Sequence, residues 1–125
     1  MDALKPPDIV AAMVQAGTAK AQLGPFDLLV RGFLSGSLLG FATSLALGAA
    51  VQTGQPIVGA LIFPVGFVII VLLGLELVTG SFALVPLAAL RGQASPATVL
   101  VNWAWVFAGN LIGSVFYALL LAIVL

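Results

Sequence analysis

The fold of this chain depends on the stretch GLELVTGS at residues 74–81, which lies within an apolar segment running from residue 57 to residue 90. As a single helix this segment would be about 51 Å long, whereas the hydrocarbon core of a bilayer is about 30 Å thick. We therefore expect the helix to break where two glycines, two hydroxyls and Glu76 lie together. Non-helical backbone at membrane depth is tolerated only inside protein or beside a water-filled cavity. The break is thus a candidate functional site.

The segments on either side of the break predict an all-α membrane protein. Residues 1–24 predict an N-terminal amphipathic helix on the cytosolic side, and residues 28–51 predict a first transmembrane helix of about 36 Å. The second transmembrane helix is interrupted and comprises residues 57–73 and 81–90. A third covers residues 97–125, so the prediction is three transmembrane helices, of which the second contains a loop.

The composition excludes several classes of function. Of the residues, 62% are hydrophobic and 6% charged, which a soluble domain of this size does not tolerate. The formal net charge is zero, so we expect no nucleic-acid partner. Cysteine and histidine are both absent, which removes thiolate and imidazole ligands and the commonest general base. We therefore expect no enzyme activity, metal or cofactor, and we expect the lipid bilayer to be the solvent.

The cations predict the orientation of the chain. If the first helix runs outward, the second returns and the third leaves again, then Lys5, Lys20, Arg31 and Arg91 all fall on one side of the membrane. That side is predicted to be the cytosol, in a multi-pass protein of the cell membrane. The N-terminal helix is compatible with two positions, against lipid or packed under its own protein.

Small residues recur at a spacing that favours close helix packing. The spacing of four residues places them on one face, where a second helix can approach closely. The first transmembrane helix carries Gly32, Gly36 and Gly40, and the third carries Gly109 and Gly113.

Three residues of the break carry the chemistry that we consider. An acid at membrane depth needs partners, and we favour a tether in which the Glu76 carboxylate accepts backbone N–H groups at the start of helix 81–90. A proton relay is the alternative. Thr79 and Ser81 present hydroxyls either to a passing anion or, as is more common, to nearby carbonyl groups.

Aromatic and amide side chains outside the break have competing interpretations. Phe63 and Phe67 lie four residues apart, so their rings share one helix face, either as an apolar gate or as packing against lipid and protein. Asn102 and Asn110 favour hydrogen bonds between helices over substrate binding. Trp103 lies early in its helix, as is typical of the membrane–water interface.

Several motifs, in order, resemble those of the formate/nitrite transporter family over essentially the whole chain, as in a formate channel. The similar stretches are PPDIV at 6–10 with QAG at 15–17, GFLSG at 32–36, GLELVTG at 74–80, NW at 102–103 and GNLIG at 109–113.

This resemblance implies an aquaporin-like fold of six helices from two inverted halves, with one interrupted helix in each half. Residues 25–125 would form the first of these transmembrane half-domains, and the family assembles as a homo-pentamer with a pore through every protomer. The chain stops within apolar sequence, so we expect it to be a truncated product. The family's central histidine and vestibule lysine belong to the second half.

The resemblance also implies roles for individual residues. By position, Phe63 and Phe67 match the outer constriction, whereas Leu77 and Val78 match the inner one. Thr79 belongs to the same narrowing loop.

Gly80 and Ser81 follow Thr79 and complete the stretch that would line the substrate path. Val78 replaces the family's usual aromatic residue or isoleucine, and Leu75 replaces a small residue before the acid.

The function implied is transport of formate, nitrite or a similar small monovalent anion. Two alternatives stay open at the level of the sequence. In the first, the chain is a small three-helix membrane protein that acts as a structural or interaction subunit. In the second, two copies of the chain pair to form one protomer.

Overall fold

The computed structural model describes residues 3–125, and every regular element in that range is an α-helix. Residues 1–2, at the start of the predicted N-terminal helix, lie outside the described range. The helices are α1 (Pro6–Ala21), α2 (Pro25–Thr53), α3 (Pro56–Ile62), α4 (Val65–Leu72), α5 (Val78–Leu90) and α6 (Pro96–Val124).

Proline sets the start of four of these helices. A proline in the first turn loses no hydrogen bond there, because the first N–H groups of a helix have no partner within it. The fourth, α6, is also capped, since the Ser95 hydroxyl accepts the Thr98 N–H at 3.1 Å. The prolines stand at the first position of α1, α2, α3 and α6, namely Pro6, Pro25, Pro56 and Pro96.

The core of the molecule is the contact between α2 and α6, which run parallel. As the spacing of the glycines predicted, the two backbones approach closely. A methyl group on Gly36 would overlap the main-chain carbonyl of Asn110, and one on Gly113 would overlap the carbonyl of Phe33. This close approach also brings the Ser37 hydroxyl within 3.0 Å of the Gly113 carbonyl, which it donates to.

Two glycines of α2 provide a matched test of this packing. We expect Gly36→Ala to destabilise the protein by about 2 kcal/mol, because the added methyl group forces α2 and α6 apart. Gly48→Ala, on the same helix, has nothing within 4 Å of the added methyl group and should stabilise by about 0.5 kcal/mol through helix propensity. Thermal unfolding in detergent measures both, and equal behaviour of the two variants would contradict this account of the core.

The chain from residue 56 to residue 90 runs antiparallel to α2 and α6. Gly59 packs on the carbonyl of Ala46, and Gly66 packs on Ala42. Nearer the N-terminus of α2, the Ser35 hydroxyl donates a hydrogen bond to the carbonyl of Glu76. The segment thus passes down α2 before α5 continues along α6.

This segment is interrupted twice. The expected break is present but shorter than predicted, because residues 73–77 separate α4 from α5, and α5 begins at Val78 rather than at Ser81. A second interruption, which the sequence analysis did not predict, separates α3 from α4 at Phe63 and Pro64. Proline has no N–H to donate to the preceding turn, which accounts for that second break.

The helix lengths match a bilayer. α2 and α6 have 29 residues each, are largely apolar, and are the two helices of the described range that are long and apolar enough to cross a membrane. Each is about 43 Å long, whereas the Pro56–Leu72 segment and α5 are about 25 and 20 Å long.

Helix α1 packs antiparallel on α5. A methyl group on Gly17 would overlap the carbonyl of Leu84, and Gly17 is the buried residue of α1. Of the two positions left open by the sequence, against lipid or against protein, this part of α1 therefore takes the second. Ile9 and Val10, nearer the N-terminus, stay 44% and 43% exposed.

Candidate functional site

The candidate site is the loop of residues 73–77, whose backbone must find hydrogen bonds outside a helix. The turn that ends α4 uses Gly74, with φ of 62°, a conformation that residues with a side chain disfavour. The Gly74 N–H still donates to Val71 at 3.1 Å, and the Leu75 N–H donates to Ile70 at 3.0 Å. Two carbonyl groups of the loop, those of Gly74 and Glu76, accept hydrogen bonds from side chains of α2 and α6.

Asn110 on α6 makes four hydrogen bonds at this site, one of them to the loop itself. Its Nδ2 donates to the Gly32 carbonyl, the Ser35 hydroxyl and the Glu76 carbonyl, each at 2.9 Å. Its Oδ1 accepts the Val78 N–H at 2.9 Å, which is the first N–H of α5. Since an amide nitrogen carries two hydrogens, one of them is shared between two acceptors. Asn110 therefore joins α2, the loop and the start of α5.

Two side chains of α2 complete the support. The Ser35 hydroxyl is fully buried and donates to the carbonyl of Glu76 at 2.5 Å. Arg31 Nη1 donates to the Gly74 carbonyl at 3.1 Å. These contacts bind the Gly74 and Glu76 carbonyls to protein groups, as non-helical chain at membrane depth requires.

Glu76 is buried, and its carboxylate forms an ion pair with Lys20 at the end of α1. The distance from Lys20 Nζ to Glu76 Oε2 is 2.8 Å, and the side chains are 20% and 4% exposed. The sequence analysis expected backbone N–H groups of the following helix as partners, and this was wrong, because Asn110 occupies the first of those groups. The pair is the one ion pair found in residues 3–125, and it ties α1 to the loop.

The side chains that follow Glu76 point in different directions. Leu77 and Val78 are half-buried, Thr79 is exposed, and Gly80 is half-buried. Ser81, predicted to line the path, is 0% exposed, and its hydroxyl has no partner among the described residues.

Phe63 and Phe67 lie at the second interruption, on either side of Pro64. Their ring centroids are 5.4 Å apart and the planes meet at 80°, an edge-to-face pair. Phe67 is 40% exposed. Gly66, beside this pair, packs on Ala42 of α2. Ala42 lies seven residues, or about 10 Å along α2, from Ser35, which contacts the loop.

The polar residues of α6 bond to neighbouring helices, as predicted for the asparagines. Asn102 Nδ2 donates to the Lys20 carbonyl at 3.0 Å. Trp103, expected at the membrane–water interface, donates from Nε1 to the Ser81 carbonyl at 3.1 Å and packs edge-on against Phe82 at 4.8 Å between centroids.

The sequence analysis missed Lys20, Ser35 and Arg31 as partners of the loop. Ser35 was identifiable in part, because it lies on α2 directly before Gly36, whose face packs on α6. Lys20 lies 56 residues before Glu76, and no local pattern connects the two.

An all-helical chain with two helices suited to crossing a bilayer, and with non-helical backbone held between them, belongs to the class of helical membrane proteins. Sequence comparison then identifies the family. The family model described as formate/nitrite transporter matches residues 7–125, so the chain belongs to the formate/nitrite transporter family, as its motifs suggested. This is a family of transporters and not of enzymes.

Curated relatives of this chain include three bacterial or archaeal proteins. It is 34% identical over 120 residues to Uncharacterized transporter YrhG of Bacillus subtilis (strain 168), covering 91% of this chain and 45% of that protein. It is 32% identical over 120 residues to Formate channel BtFdhC of Bacillus thuringiensis, covering 91% and 46%. It is 38% identical over 114 residues to a Probable formate transporter of Methanothermobacter thermautotrophicus, covering 83% and 40%.

The chain thus spans less than half the length of these relatives. The comparison with solved structures gave no match.

Proposed function

We propose that the protein containing this chain transports formate, nitrite or a similar small monovalent anion across the membrane and carries out no catalytic step. The observation that carries the proposal is the loop at residues 73–77, whose Gly74 and Glu76 carbonyls are bound by Arg31, Ser35 and Asn110. Such backbone at membrane depth is typical of a protein-lined conduit. Membership of a transporter family, with relatives named as formate channels, supports the same function.

In this proposal the chain forms one half of a six-helix, aquaporin-like protomer. α2 and α6 cross the membrane, and the segment 56–90 crosses between them in two pieces. Those pieces, about 25 and 20 Å long, together match the roughly 43 Å of α2 and α6. The coverage of relatives, between 40% and 46%, agrees with half a protomer. By family, the protomers assemble as a homo-pentamer.

The pathway would contain two apolar levels. Phe63 and Phe67 form the outer level, and Leu77 and Val78 form the inner one, about 10 Å apart along α2. Thr79 and Gly80 would line the path beside the inner level. Moving a bare charge through such apolar levels is costly, which favours passage of a weak acid in its neutral form.

The distribution of charge supports an N-terminus on the cytosolic side of the cell membrane. Lys5 directly precedes α1, Lys20 lies near its end, and Arg31 lies in the second turn of α2. Arg91 follows α5. The opposite turn between α2 and α3, residues 53–56, carries no charge. A cytosolic position of the cationic end follows the general bias of Lys and Arg.

Flux through vesicles tests the function. Protein expressed from the intact gene is reconstituted in liposomes, and uptake of formate and nitrite is followed against protein-free vesicles. We expect uptake of both anions to exceed that of empty vesicles and to rise as the pH falls toward the pKa of the acid. Uptake no faster than in empty vesicles would instead favour a structural or interaction subunit.

A further inference from the structure

Arg31 is a cation within a membrane-crossing helix, and its role is not explained by packing. It lies six residues after Pro25, or about 9 Å into α2. An ionisable residue at such a position is a candidate for function, because its charge is costly without a partner. Arg31 is half-buried, and the one hydrogen bond that its side chain makes within residues 3–125 goes to the Gly74 carbonyl at 3.1 Å.

The charges around the loop leave Arg31 uncompensated. Lys20 and Glu76 neutralise one another at 2.8 Å. Asp27 lies one helical turn before Arg31 but forms no ion pair with it, and the described range contains no other ion pair. Among Lys20, Glu76 and Arg31, one net positive charge therefore remains, located on the guanidinium group that contacts the loop. That charge attracts an anion approaching the loop from the cationic end of the protein.

The chemistry of the guanidinium group selects the kind of anion. It has five N–H donors in a planar fork, which matches two oxygens of one carboxylate or similar oxyanion. The contact with the Gly74 carbonyl uses a donor on Nη1 and holds the fork beside the loop, while the other donors stay available. Lys20 is less suited to this role, because its ammonium group is already bound to Glu76.

We propose that Arg31 is the docking residue for a small planar oxyanion, a carboxylate or nitrite, on the cationic side of the loop. This inference rests on the transport function proposed above and names a residue that recognises the substrate before it reaches the apolar levels. The fixed fork gives preference for a planar two-oxygen anion over a spherical halide.

Saturation of the flux tests the proposal. Protein from the intact gene is reconstituted in phosphatidylcholine vesicles, and formate is supplied on the cationic side. We expect Arg31→Gln to raise the half-saturating formate concentration about tenfold while the maximal flux stays within about twofold. Arg31→Lys, which keeps the charge without the fork, should give an intermediate value. Arg91→Gln removes an exposed cation after α5 and should behave as wild type.

Other results of these flux measurements would contradict either the docking role of Arg31 or the transport function. Absent flux in the wild type would refute the transport function itself, whereas wild-type flux with an unchanged half-saturation in Arg31→Gln would overturn the docking role alone. A fall in maximal flux without a change in half-saturation would reduce Arg31 to an anchor of the loop. An effect seen only in vesicles containing phosphatidylglycerol would assign Arg31 to a lipid headgroup. If Arg31→Gln fails to fold, Arg31→Lys and the loss of wild-type affinity at high ionic strength decide the question.

Discussion

Asn110→Leu is expected to lower the free energy of unfolding by about 4 kcal/mol, the largest effect of any single substitution considered for this protein. The variant loses four hydrogen bonds at once and leaves the Val78 N–H without a partner in the protein interior. Stranding a buried donor costs more than losing the bond alone. Unfolding of the purified protein in mixed micelles of increasing denaturing-detergent content measures the change.

Asn102→Leu provides the matched control on the same helix. Asn102 is buried whereas Asn110 is half-buried, but Asn102 makes a single hydrogen bond, to the Lys20 carbonyl, and its Oδ1 has no partner among the described residues. Leucine removes that unpaired oxygen, so we expect a loss of about 1 kcal/mol or less. Equal losses in the two variants would contradict the role of Asn110 as the junction of α2, the loop and α5.

Lys20→Met is expected to destabilise the protein by about 3 kcal/mol, because it leaves the Glu76 carboxylate buried without a cation. Glu76→Gln should cost less. The Lys20 side chain is 20% exposed and can turn its ammonium group to water, whereas Glu76 is 4% exposed and cannot. The same unfolding titration, combined with protease cleavage within α1, measures both stability and the attachment of α1.

The double variant Lys20→Met with Glu76→Gln tests the coupling between the two residues. Because both charges are removed together, its loss should be smaller than the sum of the two single losses. A strictly additive double variant, or a Lys20→Met protein as stable as wild type, would mean that the ion pair does not hold α1 on the loop.

Much of the fold follows from local properties of the sequence. The break was predictable because an apolar segment from residue 57 to residue 90 is too long for one helix in a bilayer, and the glycines and the acid identify where it occurs. Its first residues were placed within one position, but its end was not. The beginning of α5 at Val78 depends on Asn110, which lies 32 residues away and binds the Val78 N–H.

The candidate site was predictable only in part. The sequence indicated that Glu76 needs partners and that Asn110 bonds between helices, yet it placed the wrong groups around the carboxylate. Ser81 is predicted to line the path because its hydroxyl lies near the break, and the structure adds that Ser81, in the first turn of α5, is 0% exposed. Whether a residue on a short helix faces protein or a path depends on how that helix is rotated against its neighbours.

By itself, the sequence determined that this protein is helical, belongs in a membrane and breaks its second apolar segment, because helix length, apolar composition and glycine spacing are local properties. Only the tertiary structure decided that Lys20 neutralises Glu76, that Asn110 rather than Asn102 holds the loop, and that Arg31 is left without an acid. Those partners lie tens of residues apart along the chain. They meet because α2 and α6 pack in parallel at the distance that their glycines permit.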